Sequence, residues 1–362
     1  MTAIGRLFDV AKDAGFFRAL KVIVGLVRMH WRYFIFGRGR GLAKMLPLNT
    51  PNKVHVDPAS GCNFKCFFCP QSDLESLKLA GFKTGVMKLE LFKKMINDFV
   101  WFPNKIDELV LGNYGELLLN KDISEMIEYA VSSKSVREVS LITNAALLDK
   151  EIGEKIALAG LHKIRISIEG LSDEAYKNTV NVNVSFDKIV KNITDFYKSV
   201  RRYGNKTFIY VKIIDIGLTP EDKRKFFNVF SPISDSVGIE NLMPVTEKAE
   251  KLIGDKKRGM TGVSISEGRF VCPSPFYSLS VHVNGDVGVC CSDWHHQTNI
   301  GSIKNSTMQE IWRGSELNKF RLAHLQNSWR SVDACSGCIM VDHYPPYEDI
   351  DHIRDNLQKH YQ

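Results

Sequence analysis

The sequence predicts an α/β fold, an open, partial (βα)6 barrel followed by a small cysteine-rich C-terminal unit. Two observations carry this reading. From residue 53 to about 244, short β-branched runs alternate with amphipathic stretches, the pattern of parallel strands joined by crossover helices. The eight cysteines fall into two sets, three of them between residues 62 and 69 and five from residue 272 onward.

The strands are expected at Lys53–Asp57, Ile106–Leu111, Val136–Ile142, Lys163–Ile168, Thr207–Ile214 and Val237–Leu242. Helical periods lie between them, near 88–101, 121–133, 149–159, 185–202 and 220–230. Six such units make part of the eightfold barrel, in which chemistry stands at the C-terminal ends of the strands. After Pro244 a polar, Lys-rich stretch, EKAEKLIGDKKRGMTG, reads as a linker or mobile loop. A hairpin turning at Asn284-Gly285, an amphipathic helix over Met308–Leu325 and a late CxxC follow. The expected division is an N-terminal extension 1–50, a barrel 51–250, a cysteine-rich unit 255–345 and a tail 346–362.

Residues 1–50 hold nine basic and two acidic residues, and the remainder carries 39 of each sign. A nucleic-acid enzyme spreads basic charge over its catalytic body, where counterion release supplies affinity; this body is charge-balanced, so no nucleic-acid partner is expected. Residues 16–36 are apolar but interrupted by Arg18, Lys21, Arg28 and Arg32, which suits neither a spanning helix nor a signal peptide. The four cations share one helical stripe, which leaves a peripheral membrane contact or a helix packed on the body as readings. Cysteines without a secretion signal point to metal or redox chemistry in a reducing compartment, hence a cytoplasmic protein, membrane-associated if that helix lies on a bilayer.

Cys62, Cys66 and Cys69 form CxxxCxxC directly after the first expected strand. Three neighbouring thiolates can hold three corners of a four-iron cluster and leave one iron without a protein ligand. The alternative is a zinc site, which needs a fourth ligand from elsewhere.

The spacing, the preceding strand and the aromatic Phe68 resemble the signature loop of the radical S-adenosylmethionine (radical SAM) superfamily. That resemblance implies a [4Fe-4S] cluster held by three cysteines and exchangeable S-adenosylmethionine, whose reductive cleavage releases a 5′-deoxyadenosyl radical. It also implies cofactor contacts at Gly115 and Glu116, in a Gly112-Asn113-Tyr114-Gly115-Glu116 turn similar to the family's GGE segment. Further contacts are implied at Asn144, at Ser167 and Glu169 of an SxEG-like segment, and at Met243 beside adenine. The turn departs from the family pattern in lacking the first glycine.

Cys272, twelve residues, Gly285, four residues and Cys290, with Cys335-Ser336-Gly337-Cys338 later, resemble the SPASM or twitch extension that binds auxiliary [4Fe-4S] clusters. Cys272, Cys290, Cys335 and Cys338 suffice for one auxiliary cluster, although four cysteines also suit tetrahedral zinc. Cys291 is left over: a substitute ligand, a buried thiol, or a hydrogen donor to a substrate radical, as in the group's epimerases.

The resemblance implies an oxidoreductase or epimerase acting on a small hydroxylated molecule such as a sugar, cyclitol or aminoglycoside, or a lipid-linked sugar if the N-terminal helix lies on a membrane. Flavodoxin or ferredoxin is the expected electron donor. The alternatives are a peptide-modifying enzyme that forms thioether or carbon–carbon crosslinks, and a non-catalytic iron–sulfur or zinc module.

Overall fold

A computed structural model describes residues 41–253, 259–260, 268–338 and 340–362. Residues 16–36 lie outside them. No helix among the described residues is long and apolar enough to cross a membrane.

The six expected strands form, as β1 Lys53–Val56, β2 Ile106–Leu111, β3 Val136–Thr143, β4 Lys163–Ile168, β5 Phe208–Ile214 and β6 Ser236–Glu240. All pair in parallel with their sequence neighbours. The crossovers contain α1 Leu89–Asp98, α2 Ile123–Ser132, α3 Lys150–Leu158, α4 Asp173–Val180, α5 Phe186–Arg202 and α6 Pro220–Phe230. Of these six only α4 was not expected, and neither was a further short helix over Leu74–Leu79; Ser172 caps α4, and Tyr176 and Val180 are its buried anchors. Thr219 and Asp222 cap α6 reciprocally, which fixes its start at Pro220.

Alternate strand residues such as Val54, Val56, Leu109, Leu111, Ile164 and Ile166 pack with the helices in one large core. Ile96, Ile127, Ile156 and Ile193 meet them from α1, α2, α3 and α5.

The C-terminal unit is continuous with this sheet. Strand β7, Ser278–Val281, pairs in parallel with β1, setting Lys53 beside Ser278 and Val56 beside Val281. Antiparallel β8, Asp286–Gly288, and β9, Asn299–Ser302, extend the order to β6-β5-β4-β3-β2-β1-β7-β8-β9. The hairpin turns where expected, with Gly285 at φ +87°.

Two expectations need correction. The polar stretch after Pro244 begins as α7, Glu247–Ile253, because Ala249 and Ile253 pack on Phe68. The Met308–Leu325 helix breaks at Gly314, whose ψ of 156° leaves helical geometry, giving α8 Met308–Arg313 and α9 Ser315–Leu325. The last residues fold back as α10, Arg354–Tyr361; Ile350 and Leu357 share a second core with Leu42, Val271, Phe276 and Leu325.

His324 is buried in this region, stacked on Trp329, and burial holds its imidazole down to about 4. The unfolded chain therefore binds a proton below about pH 6.5 that the folded chain refuses until about pH 4, so stability falls on acidification through that window. Replacing His324 with Gln should flatten the fall in urea-unfolding free energy between pH 6.5 and 4 by on the order of 3 kcal/mol; an unchanged slope would refute it.

Candidate functional site

The three-cysteine loop hangs from the C-terminal end of β1. Backbone bonds tie it to α4, from Lys65 N to Val180 O (2.9 Å) and from Phe67 N to Thr179 O (3.0 Å). Phe64 is buried edge-on against Tyr176, and Cys69 N donates to Cys66 O at 2.9 Å. Tertiary contacts thus hold the loop in shape.

Burial pushes the Cys62 thiol up to about 11, with the Glu116 and Glu169 carboxylates adding to the shift. Burial likewise lifts Cys69 to about 12 and Cys66 further, Glu169 contributing to both while Lys212 opposes. Three such thiols stay neutral unless a cationic centre takes their protons' place, which is the donor chemistry of a metal cluster site. Among the described residues, no group of three or more His, Cys, Asp or Glu is placed to hold a single metal ion.

The Gly112–Glu116 turn follows β2 and presses on this loop. A Cβ on Gly115 would lie 2.3 Å from Gly61 O and 2.8 Å from Ser60 C, so only glycine permits the contact. Glu116 N donates to Gly61 O at 2.8 Å. The buried Glu116 carboxylate accepts from Thr143 Oγ1 (2.7 Å), Asn144 N (2.8 Å) and Leu118 N (3.1 Å), while burial holds it above the usual carboxylate range. Asn144 Nδ2 in turn donates to Asn63 Oδ1 at 2.8 Å, inside the CxxxCxxC loop. Glu116 and Asn144 are thereby brought together with the cysteines. A Gly115→Ala variant should keep its fold yet lose the iron of this loop, read as a halved iron content after anaerobic reconstitution; full iron content would contradict the close approach.

Tyr114, at the position of the family's absent glycine, is fully buried and reaches the other cysteine set. Its hydroxyl donates to Asp293 O (3.1 Å) and Cys290 O (3.2 Å), and Asn113 Nδ2 donates to Cys291 O (2.8 Å). The sequence departure at this turn is a bridge between the two halves of the chain.

At the ends of β4 and β5 lies an open cavity of about 290 Å³, whose walls include Glu169, Gly170, Ile214, Ile216, Leu218 and Lys225. Ser167 and Met243 are not among its lining residues; Ser167 stands on β4 opposite Lys212 of β5. Phe68 packs instead with Leu242, Ala249, Ile214 and Ile216, beside the cavity. Sequence reasoning missed this apolar wall. The run Ile213-Ile214-Asp215-Ile216-Gly217-Leu218 after β5, apolar and ending in a glycine at φ +75°, was the signal.

Cys272, Cys290, Cys335 and Cys338 line one small cavity of about 40 Å³ with Asp293, Thr298, His324 and Trp329. Burial raises all four thiols, Cys335 to about 12, and Ser292 N donates to Cys290 Sγ at 3.2 Å, a bond suited to a thiolate. Cys291 is not among its lining residues; its electrostatic neighbours are Lys53 and Glu348.

Above Tyr114, His282 Nδ1 lies 3.3 Å from Asp57 Oδ2, and His296 stacks on His282 at 3.7 Å. These histidines, for which the sequence suggested no role, fill the seam between the two cysteine sites.

The sheet face turned away from the helices is polar. It carries Lys53 paired with Glu108 (2.9 Å), Arg165 paired with Glu240, and Tyr210 donating to Glu240 (2.9 Å). Tyr210 lies so flat on β6 that a Cβ on Gly238 would meet its hydroxyl. The alternation Lys-Val-His-Val in β1 and Lys-Ile-Arg-Ile-Ser-Ile in β4 encodes this, since a parallel strand buried on both faces reads as continuously apolar.

The profile of the Radical SAM superfamily matches residues 56–222, and that of an iron-sulfur cluster-binding domain, SPASM, matches residues 272–339. Together they take in more than half of the chain. Among curated proteins, a GTP 3′,8-cyclase of Clostridium botulinum is 25% identical over 201 residues, 54% of this chain and 58% of that protein. The chain spans a little over half the length of such relatives. Among solved structures, Streptococcus suis SuiB bound to precursor peptide SuiA is 16% identical with a TM-score of 0.56, covering 79% of this chain and 70% of that one. A structure of anSMEcpe with bound AdoMet is 15% identical with a TM-score of 0.52, covering 86% of this chain and 93% of that one. Both share the fold. With its CxxxCxxC loop at the end of β1 and its four-cysteine cavity beyond β7, the chain belongs to the radical SAM superfamily and carries a SPASM iron–sulfur domain, with [4Fe-4S] clusters and S-adenosylmethionine as its cofactors.

Proposed function

We propose that this protein is a radical SAM oxidoreductase or epimerase that abstracts hydrogen from a small hydroxylated substrate, of the sugar, cyclitol or aminoglycoside kind. The observation that carries the reading is the direct attachment of the four-cysteine cavity to the barrel wall, through β1–β7 pairing and the Tyr114 hydroxyl. It supports an electron acceptor standing beside the polar sheet face, as dehydrogenation of an alcohol requires. When bound, the reduced cluster and S-adenosylmethionine supply the hydrogen-abstracting 5′-deoxyadenosyl radical.

In this reading Cys62, Cys66 and Cys69 hold the first cluster, and Cys272, Cys290, Cys335 and Cys338 hold one auxiliary cluster. Gly115 offers backbone to the methionyl end. Glu116 and Asn144 keep the cysteine loop and the turn in register, and Glu116 retains lone pairs for an ammonium. Glu169 faces the ribose, while Ile214 and Ile216, backed by Phe68, replace Met243 as the wall for adenine. Lys212, 6% exposed and within electrostatic reach of Cys66 and Cys69, suits the methionyl carboxylate beside Ser167. Cys291, which does not line the four-cysteine cavity, returns a hydrogen atom rather than binding iron in this reading. Flavodoxin or ferredoxin serves as electron donor.

Anaerobically reconstituted protein, reduced with dithionite in the presence of S-adenosylmethionine, should release 5′-deoxyadenosine. Absence of that product from protein carrying both clusters would end the reading. Transfer of deuterium from a labelled peptide rather than a labelled polyol into 5′-deoxyadenosine would move the assignment to peptide modification.

A further inference from the structure

The turn from Asn113 to Glu116 reaches in two directions. Gly115 and Glu116 meet the CxxxCxxC loop through Gly61. Asn113 and Tyr114 reach the other cysteine set: Asn113 Nδ2 donates to Cys291 O (2.8 Å), and the Tyr114 hydroxyl is shared between Cys290 O (3.2 Å) and Asp293 O (3.1 Å). Cys290 and Asp293 both line the four-cysteine cavity, so these carbonyls belong to the segment that ligation through Cys290 braces.

No slack separates the two ends. Tyr114 is 1% exposed, and its ring packs with Leu77, Phe82 and Trp294. Its backbone is fastened as well: Tyr114 N donates to Asp57 Oδ1 (3.3 Å), and Tyr114 O accepts from Gln71 Nε2, which also donates to Ser60 O at 2.8 Å. Gln71 lies just past Cys69 in the chain. The next residue, Gly115, approaches Gly61 so closely that no Cβ fits, and Glu116 N donates to Gly61 O. A close-packed interior of this kind passes a displacement on rather than absorbing it.

We propose that Tyr114, with Asn113, is a positioning residue for S-adenosylmethionine that makes binding of this cofactor depend on a filled auxiliary site. This rests on the reading above, in which Gly115 and Glu116 meet the methionyl end and the four cysteines hold a cluster. Residues 290–293 supply the two states, braced by ligation through Cys290 or released from it. Braced, they hold the Tyr114 hydroxyl, and through it the turn, in register with the loop of Cys62, Cys66 and Cys69. Released, they let the turn shift away from the place where Glu116 meets an ammonium. A phenylalanine ring would fill the same space, so what the hydroxyl adds is the connection. Coupling between two sites typically amounts to about 5- to 150-fold in affinity.

The test uses anaerobically reconstituted holoenzyme without reductant, so that S-adenosylmethionine binds and is not cleaved. Equilibrium dialysis with labelled S-adenosylmethionine gives Kd for the wild type, Tyr114→Phe, Cys338→Ala and the double variant. Iron analysis should read about eight irons per chain in the first two and about four in the others. Tyr114→Phe and Cys338→Ala should each raise Kd about tenfold. The double variant should bind no more weakly than Cys338→Ala alone, because the hydroxyl then has nothing braced to hold. In turnover, Tyr114→Phe should raise KM for S-adenosylmethionine and leave kcat little changed. An unchanged Kd in either single variant, or effects that multiply in the double variant, overturns the inference; multiplied effects would show that the hydroxyl only stabilises the fold. Should Tyr114→Phe lose iron, Asn113→Ala takes its place in the same cycle under the same criteria. Wild-type protein that carries both clusters and binds no S-adenosylmethionine instead defeats the parent reading of the turn, so the two failures are distinguishable.

Discussion

Cys66→Ala should abolish 5′-deoxyadenosine formation, by at least about a thousandfold, while leaving the chain folded with roughly four of its eight irons per chain. Two thiolates cannot hold a cubane that also needs a free corner, so there is no graded intermediate state. Folding should survive because the loop is also held by the Lys65–Val180 and Phe67–Thr179 backbone bonds and by Phe64 against Tyr176. Iron analysis, the S-adenosylmethionine cleavage assay and circular dichroism decide it together. Retained cleavage in the variant would remove the assignment of this loop as the site of radical generation.

The second large effect is expected on the other side of the molecule. Cys338→Ala should halve the iron content and also lower the unfolding midpoint by several degrees, whereas Cys66→Ala should lower it little. The difference arises from what each site fastens. Residues 335–338 are bonded mainly to themselves, as in Cys335 N to Val332 O and Cys338 N to Cys335 O, and meet the body through the cysteine-lined cavity. Ligation there cross-links Cys272, Cys290 and the late CxxC across a long stretch of chain, so binding free energy is folding free energy. Differential scanning fluorimetry under anaerobic conditions reads the midpoint. Equal shifts in the two variants would show that the cavity is not the clasp proposed here.

The barrel was legible because its strands follow the period-two rule with β-branched residues on one face, and five of the six crossover segments were visible as amphipathic periods. Helix α4 escaped notice because its eight residues hold only two buried anchors, too few for a period. The cysteine sets were legible from spacing alone. Continuity of the C-terminal hairpin with the barrel was not, because pairing of β7 with β1 joins residues 225 positions apart and nothing local to Ser278–Val281 announces its partner. The wall of the cavity at the ends of β4 and β5 was hidden for a related reason. Met243 and Ile214 both follow strands, and only the packing of Phe68 on Leu242, Ala249, Ile214 and Ile216 shows which segment bounds the cavity. Tyr114 reads in sequence as a defect in a glycine turn; its reach to Cys290 and Asp293 is a tertiary fact.

Strand β1 has a neighbour on each side, β2 and β7, and the iron-binding loop grows from its tip. Cutting the chain before β7 would strip one border of that strand and leave four residues' worth of amide and carbonyl groups facing water, an invitation to self-association. The barrel half is therefore not a portable module. Grafting a different cysteine-rich unit onto it would succeed only if the donor brought its own strand in the same register.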